Sequence, residues 1–217
     1  MRSRHWRRRF MALLLGSALA SARPALPALA ACPPQGTAPT PRSRALNLLK
    51  NRAVAPTATQ IDRTITLGAM VAPGNDGSRF SSGQGATIDG YVDAVYVGGV
   101  ESANCDAVSP ADRDTHIEIS LDPQHARPDQ RVIIEVTPRW RRMVANQGKD
   151  WSTAALAAAL TRHRIRVTGW MMFDYDHAPE SLNTKKHGKR IWRATAWEVH
   201  PVTEIQVLAT HGPGAAL

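Results

Sequence analysis

DTHIEI (Asp114–Ile119), RVIIEV (Arg131–Val136), RIRVTGWMMFDYDH (Arg164–His177) and RIWRATAWEVHPVT (Arg190–Thr203) are the four stretches whose reading decides the fold. Each alternates apolar and polar residues with period two, the spacing that puts successive side chains on opposite faces of a strand. Between the second and third lies STAALAAALTRH (Ser152–His163), Ala-rich, with Leu156, Leu160 and His163 on one helical face. Asp150 or Ser152 is placed to cap it. The order is therefore strands, helix, strands.

Working outward, Ala86–Gly98 (ATIDGYVDAVYVG) reads as one long strand with a Gly bend. The remaining strands are expected over Thr115–Leu121, Gln130–Thr137, Ile165–Tyr175 and Ile191–Val199, the last continuing through Thr203–Leu208. Gly98–Asp114 is a long loop. Arg44–Arg52 and Thr59–Met70 are short helix candidates, and Pro73–Ser78 (PGNDGS) is turn chemistry throughout. Three strands, a helix and two strands is the chain order of the OB-fold, an all-β, five-stranded Greek-key barrel with a helix between its third and fourth strands. The barrel domain with its N-terminal extension is expected over residues 59–210, followed by a tail over 211–217.

The first 31 residues read as an export signal. Arg7-Arg8-Arg9-Phe10-Met11 is a basic n-region, Met11–Leu19 is an apolar run, and Ala20-Ser21-Ala22 offers a cleavage point. The run is too short to span a bilayer, which takes about 20 residues. Arg-Arg-x-Phe-Met also fits a twin-arginine signal, so the export route stays open. Leu29-Ala30-Ala31-Cys32 has the form of a lipobox, making Cys32 a candidate for lipidation. If Cys32 keeps its thiol, it can instead pair with Cys105 in an oxidising compartment. Residues 32–58 read as a Pro/Ala-rich tether with a short helix. The formal charge of +9 falls to +3 once the six arginines of the leader are set aside, so global charge gives little support for nucleic-acid binding.

GGVES (Gly98–Ser102) with Cys105, DTHIEI, RVIIEVTPRWR, GWMMFD and WRATAWEVHPVT, taken together, resemble a family of exported bacterial proteins of uncharacterised function. The resemblance covers Ala86 to Leu208. It implies an extracytoplasmic OB-like domain, and no known activity.

Two groups of residues are candidates for function. Asp114, His116 and Glu118 share one side of the second strand, Glu198 and His200 share a side of the fifth, and Asp174 and His177 lie at the end of the fourth. Imidazole with carboxylate suits a divalent cation able to activate water. Asp114, His116, Glu118, Asp174, His177 and His200 are thus candidate metal ligands, with His116, Glu118 and His200 the candidate catalytic groups. Against this, a strand's solvent face alternates polar residues anyway, with charge pairs holding register. The second group, Lys185, Lys186, Lys189, Arg190 and Trp192, lies on the loop between the last two strands, part of the usual OB ligand groove. Cations beside an indole can clamp a phosphate backbone and stack a base. No nucleophile elbow, phosphate-cradling loop or dinucleotide fingerprint is present, and nothing in the sequence requires a cofactor. The sequence thus favours a binding module, for a polyanion or an envelope partner, over an enzyme. A metal-dependent phosphodiester hydrolase and a structural envelope lipoprotein, touching the membrane only through a lipid anchor, are the alternatives.

Overall fold

The computed structural model describes residues 32–208 except 123, 125, 126, 186 and 189. Five strands form a closed barrel in the order β1-β2-β3-β5-β4: β1 Gly85–Val97, β2 Thr115–Ser120, β3 Val132–Val136, β4 Arg164–Phe173 and β5 Trp197–Val207. Neighbours run antiparallel except β3 and β5, which meet in parallel at Ile134↔Val199. This is the OB arrangement expected from the chain order. The period-two pattern explains the interior: Ile88, Val92, Ile117, Ile119, Val132, Ile134, Val136, Ile165, Val167, Met171, Val199 and Val202 fill it.

Two local features shape the cylinder. Register shifts in β1 between Val92 and Ala94, so the bend lies past Gly90. Gly90 itself faces α2 (Leu67–Val71), and a Cβ there would stand 2.6 Å from Leu67 Cδ2. In β4 a second irregularity falls at Gly169, where a Cβ would meet the Pro201 carbonyl oxygen and Val199. Only glycine lets β4 and β5 approach there.

Helices close one side. Thr137 caps α3 (Pro138–Ala145), accepting from Trp140 N at 3.3 Å, so the Arg139–Arg142 run is helical. Ser152 caps α4 (Thr153–Leu160), which buries Leu156 and Leu160 in the core. The β3–β4 connection thus holds two helices where the sequence predicted one. Of the helix expected over Thr59–Met70, only Leu67–Met70 is helical, as the first four residues of α2. The fifth strand starts at Trp197 because residues 191–196 are committed elsewhere: Ala194 N donates to Arg131 O at 2.8 Å and Ala196 N to Asp76.

The stretch expected as a tether from residue 32 onward is packed on the barrel. Cys32 forms a disulfide with Cys105, and Asn51 Nδ2 donates to Pro34 O and Ala103 O at 2.9 and 2.8 Å. Arg139 donates to Cys32 O, and the indoles of Trp140 and Trp170 donate to Arg52 O and Val54 O. Pro-rich composition removed the periodicity but left carbonyls that barrel side chains can bind. A sulfur in this disulfide is not available for a lipid thioether.

Candidate functional site

The outer face of β1, β2, β3 and β5 carries the polar residues that alternate with the core, and this face is covered. The β4–β5 connection lies over it, with Trp192 against His116 and Arg193 paired with Glu198, and α1 (Pro41–Lys50) packs against β5. The connection is pinned by Asp76, in the stretch read as a turn. Asp76 is wholly buried and accepts from Thr184 Oγ1, Thr195 Oγ1 and Ala196 N, each at 2.9 Å. Arg193, on the same connection, is the largest fully buried side chain of the described residues.

Strand register then brings side chains together. His116 lies opposite Tyr96 of β1 and Glu135 of β3. Its ring stacks on Tyr96 with centroids 4.6 Å apart, and its Nδ1 is 2.9 Å from Glu135 Oε1. A carboxylate only accepts, so His116 donates from Nδ1. His200 of β5 is wholly buried; its Nδ1 lies 3.3 Å from both Glu135 Oε2 and Glu198 Oε2, and its Nε2 3.7 Å from Asp114 Oδ2. One ligand atom each from Asp114, Glu135 and His200 all lie within 4.8 Å of one another.

The other candidates lie around this centre. Glu118 pairs with Arg131 at 2.7 Å and accepts from the Tyr96 hydroxyl at 2.9 Å, outside the triad. Asp174 is taken by His177 at 2.6 Å and by Arg193, while Arg193 also pairs with Glu198 at 2.8 Å. Lys50 of α1 pairs with Glu101 at 2.5 Å. Of the basic loop, Lys185 and Arg190 are exposed, and Lys186 and Lys189 lie outside the described residues. Trp192 is half-buried: its Nε1 donates to Glu180, and its ring centroid lies 5.8 Å from that of His116 and 6.0 Å from that of His177. It closes over the polar face and does not stand out as a platform.

Electrostatics follow from burial and proximity. Burial pushes the Asp114 carboxyl up to about 7, against the pull of His200. Glu135 is equally buried, but His200 and the His116 hydrogen bond outweigh desolvation and hold it down to about 2. Desolvation works against charge on His200, yet Glu135, Glu198 and Asp114 raise it to about 9. The triad therefore behaves as an imidazolium clasped between two carboxyls that share one negative charge.

A recess of about 220 Å3 opens on this face, its walls including Tyr96, His116, Glu135, His177, Arg193 and Glu198. A larger groove of about 1020 Å3, mostly apolar, lies on the far side of Tyr96 between the 109–112 turn, α3 and α4. Among the described residues its lining includes no His, whereas His116 and His177 line the smaller space.

Glu135, Arg193, Lys50 and Tyr96 were not among the sequence candidates. Glu135 left a signal, being the one charge inside VIIEV (Val132–Val136), every residue of which is buried. Arg193 and Lys50 left none, because their burial depends on the β4–β5 connection and α1 docking. No family model matches the chain, and neither a curated protein nor a solved structure does.

Proposed function

We propose that this protein is an exported OB-barrel binding module that takes a small cationic ligand into the recess over β1, β2 and β3. The observation that carries this reading is the size and lining of that recess. About 220 Å3 equals the share of roughly seven waters at ~30 Å3 each, below the ~300 Å3 where drug-sized pockets begin. A polymer of nucleotides or sugars exceeds this volume, whereas a single small ligand does not. The walls of the recess hold Glu101, Glu135 and Glu198, with Asp114 and Asp174 buried behind them; among the described residues Lys50 and Arg193 are the Lys and Arg paired with these acids, so acids outnumber permanent cations and a positive ligand is favoured. Export is supported by the basic and apolar leader and by the Cys32–Cys105 disulfide, which suits an oxidising compartment.

A second reading, polyanion binding at the β4–β5 loop, is favoured by the exposed Lys185 and Arg190. One experiment separates the two. Thermal shift of the mature chain is measured with a diamine such as putrescine, with divalent cations, and with single-stranded DNA at low and high salt. Stabilisation by a small cation that disappears in Glu135→Gln supports the recess. Salt-sensitive DNA binding unaffected by Glu135→Gln overturns it in favour of the loop.

A further inference from the structure

We propose that Asp114, Glu135 and His200 form a buried divalent-cation site beneath the recess, which Glu135 alone of the three lines, for a metal of the zinc or manganese kind. The inference rests on the small-cation reading and gives it a ligand set. Geometry comes first. The three ligand atoms lie within 4.8 Å of one another, whereas ligands bonded at about 2.0–2.2 Å around one ion stand roughly 3.0–3.5 Å apart. Each side chain needs to move by only about 1 Å, within what rotation about χ2 supplies.

A second, independent observation points to a ligand. Both carboxylate oxygens of Asp114, Oε2 of Glu135 and Nε2 of His200 are buried without a hydrogen-bond partner, and Asp114 and His200 are 2 % and 0 % exposed. Buried polar atoms are nearly always satisfied, and the carboxylate oxygens of Asp114 and Glu135 converge with Nε2 of His200, which becomes an acceptor once a cation displaces its proton, so together they make a donor set for a cation. The neighbouring arginines do not fill this role. Arg141 spends its guanidinium on Thr115 Oγ1 and the Ala111 and Arg113 carbonyls, and Arg139 spends its own on Asn51 and Cys32.

The surroundings also suit a metal. The His116 bond to Glu135 Oε1 fixes that carboxylate and leaves Oε2 for the ion, the outer-shell arrangement that orients ligands. Glu198, 3.3 Å from His200 Nδ1, is placed to accept the proton on that nitrogen and so direct Nε2 to the cation. Imidazole favours zinc and paired carboxylates admit manganese, while hard cations that prefer all-oxygen shells suit this set less well.

The test is isothermal titration of the mature, chelator-treated chain with Zn2+ and with Mn2+, beside the variants Asp114→Asn, Glu135→Gln and Glu118→Gln. The amide variants keep shape and remove a buried charge, and circular dichroism checks that each is folded. One metal per chain is expected, weakened at least tenfold in Asp114→Asn and in Glu135→Gln and unchanged in Glu118→Gln, which lies outside the triad. A metal-induced rise in Tm of the unmutated chain, absent in Asp114→Asn, gives the same answer without titration. Binding of equal strength in Asp114→Asn assigns the metal to surface groups and overturns the site. If neither metal binds but putrescine does, the recess stands and the metal site falls. If nothing binds, both fall.

Discussion

Replacing Asp76 with Ala tests the idea that one buried carboxylate holds the β4–β5 connection over the polar face. The substitution removes the acceptor of three 2.9 Å bonds, from Thr184 Oγ1, Thr195 Oγ1 and Ala196 N, and the partner of Arg79 at 3.4 Å. The Trp197 indole bond to the Asp76 backbone carbonyl, 2.8 Å, survives. Hydrogen bonds to a charged group are worth about 1.5–3 kcal/mol each, and an orphaned buried amide costs about 1–3 kcal/mol. The hydroxyls can turn to other acceptors, whereas Ala196 N cannot. Allowing for non-additivity among groups sharing one carboxylate, the loss should be about 3–5 kcal/mol. For a domain of this size that is roughly 2–4 °C per kcal/mol, or about 6–20 °C in Tm. Urea unfolding followed by circular dichroism gives the free energy. Limited trypsinolysis at Lys185 and Arg190 reports whether the connection loosens first. Asp76→Asn, which keeps one acceptor oxygen, should fall between. Less than about 1 kcal/mol lost in Asp76→Ala, with no faster cleavage, would refute the pinning.

Three further outcomes are expected. The Asp174–His177 pair should give stability a pH window. Burial pushes Asp174 up, but the His177 bond, Lys50 and Arg193 hold it well below the carboxylate range, so its contribution is present above about pH 4 and lost as pH falls further. The Asp174 bond raises His177, whose contribution is present below about pH 6.5 and lost as pH rises through its folded value. Because His177 is 43 % exposed the upper limb should be shallow, and Asp174→Asn should flatten both limbs in pH-dependent urea melts. Reducing Cys32–Cys105, which are 73 residues apart, should lower unfolding free energy by about 4 kcal/mol on the chain-entropy account; a change under about 1 kcal/mol would place the N-terminal segment outside the cooperative unit. Intact mass of the protein from the cell envelope should begin between residues 23 and 32, whereas a cytoplasmic chain retaining Met1 would contradict export.

The strands were legible where apolar and polar residues alternate, as in RIRV (Arg164–Val167), whose polar face is exposed, and in IEIS (Ile117–Ser120), whose polar face is buried as well. Ser152 as a cap marked α4 almost to the residue. The start of β5 was not legible, since RIWRAT (Arg190–Thr195) alternates like a strand, but its Ala194 amide donates to Arg131, its Thr195 hydroxyl donates to Asp76 and its Ala194 carbonyl accepts from Asn183. Parity alone grouped Asp114, His116 and Glu118 on one face and Glu198 with His200 on another. Their partner Glu135 required knowing that β3 pairs with β2 in the register His116↔Glu135 and meets β5 on its other edge. Parity sorts side chains to a face, but pairing decides which of them touch. Arg193 was not among the sequence candidates, and only the closure of the β4–β5 loop reveals it as a buried counter-charge.

The closure of the barrel depends on how β3 and β5 meet. Their registered pairing is the single position Ile134↔Val199, helped by the Ala194–Arg131 bond, while every other junction runs over at least five pairs. Glu135 and His200 are the residues immediately after that one pair, one on each strand. The contact between them is thus a clasp across the seam where a sheet is rolled into a cylinder. Removing it leaves every long ladder intact and asks one rung to keep the cylinder shut. A cation bound between the acids around His200 would replace that clasp with metal–ligand bonds, so its binding should slow amide exchange at the seam before it alters global unfolding.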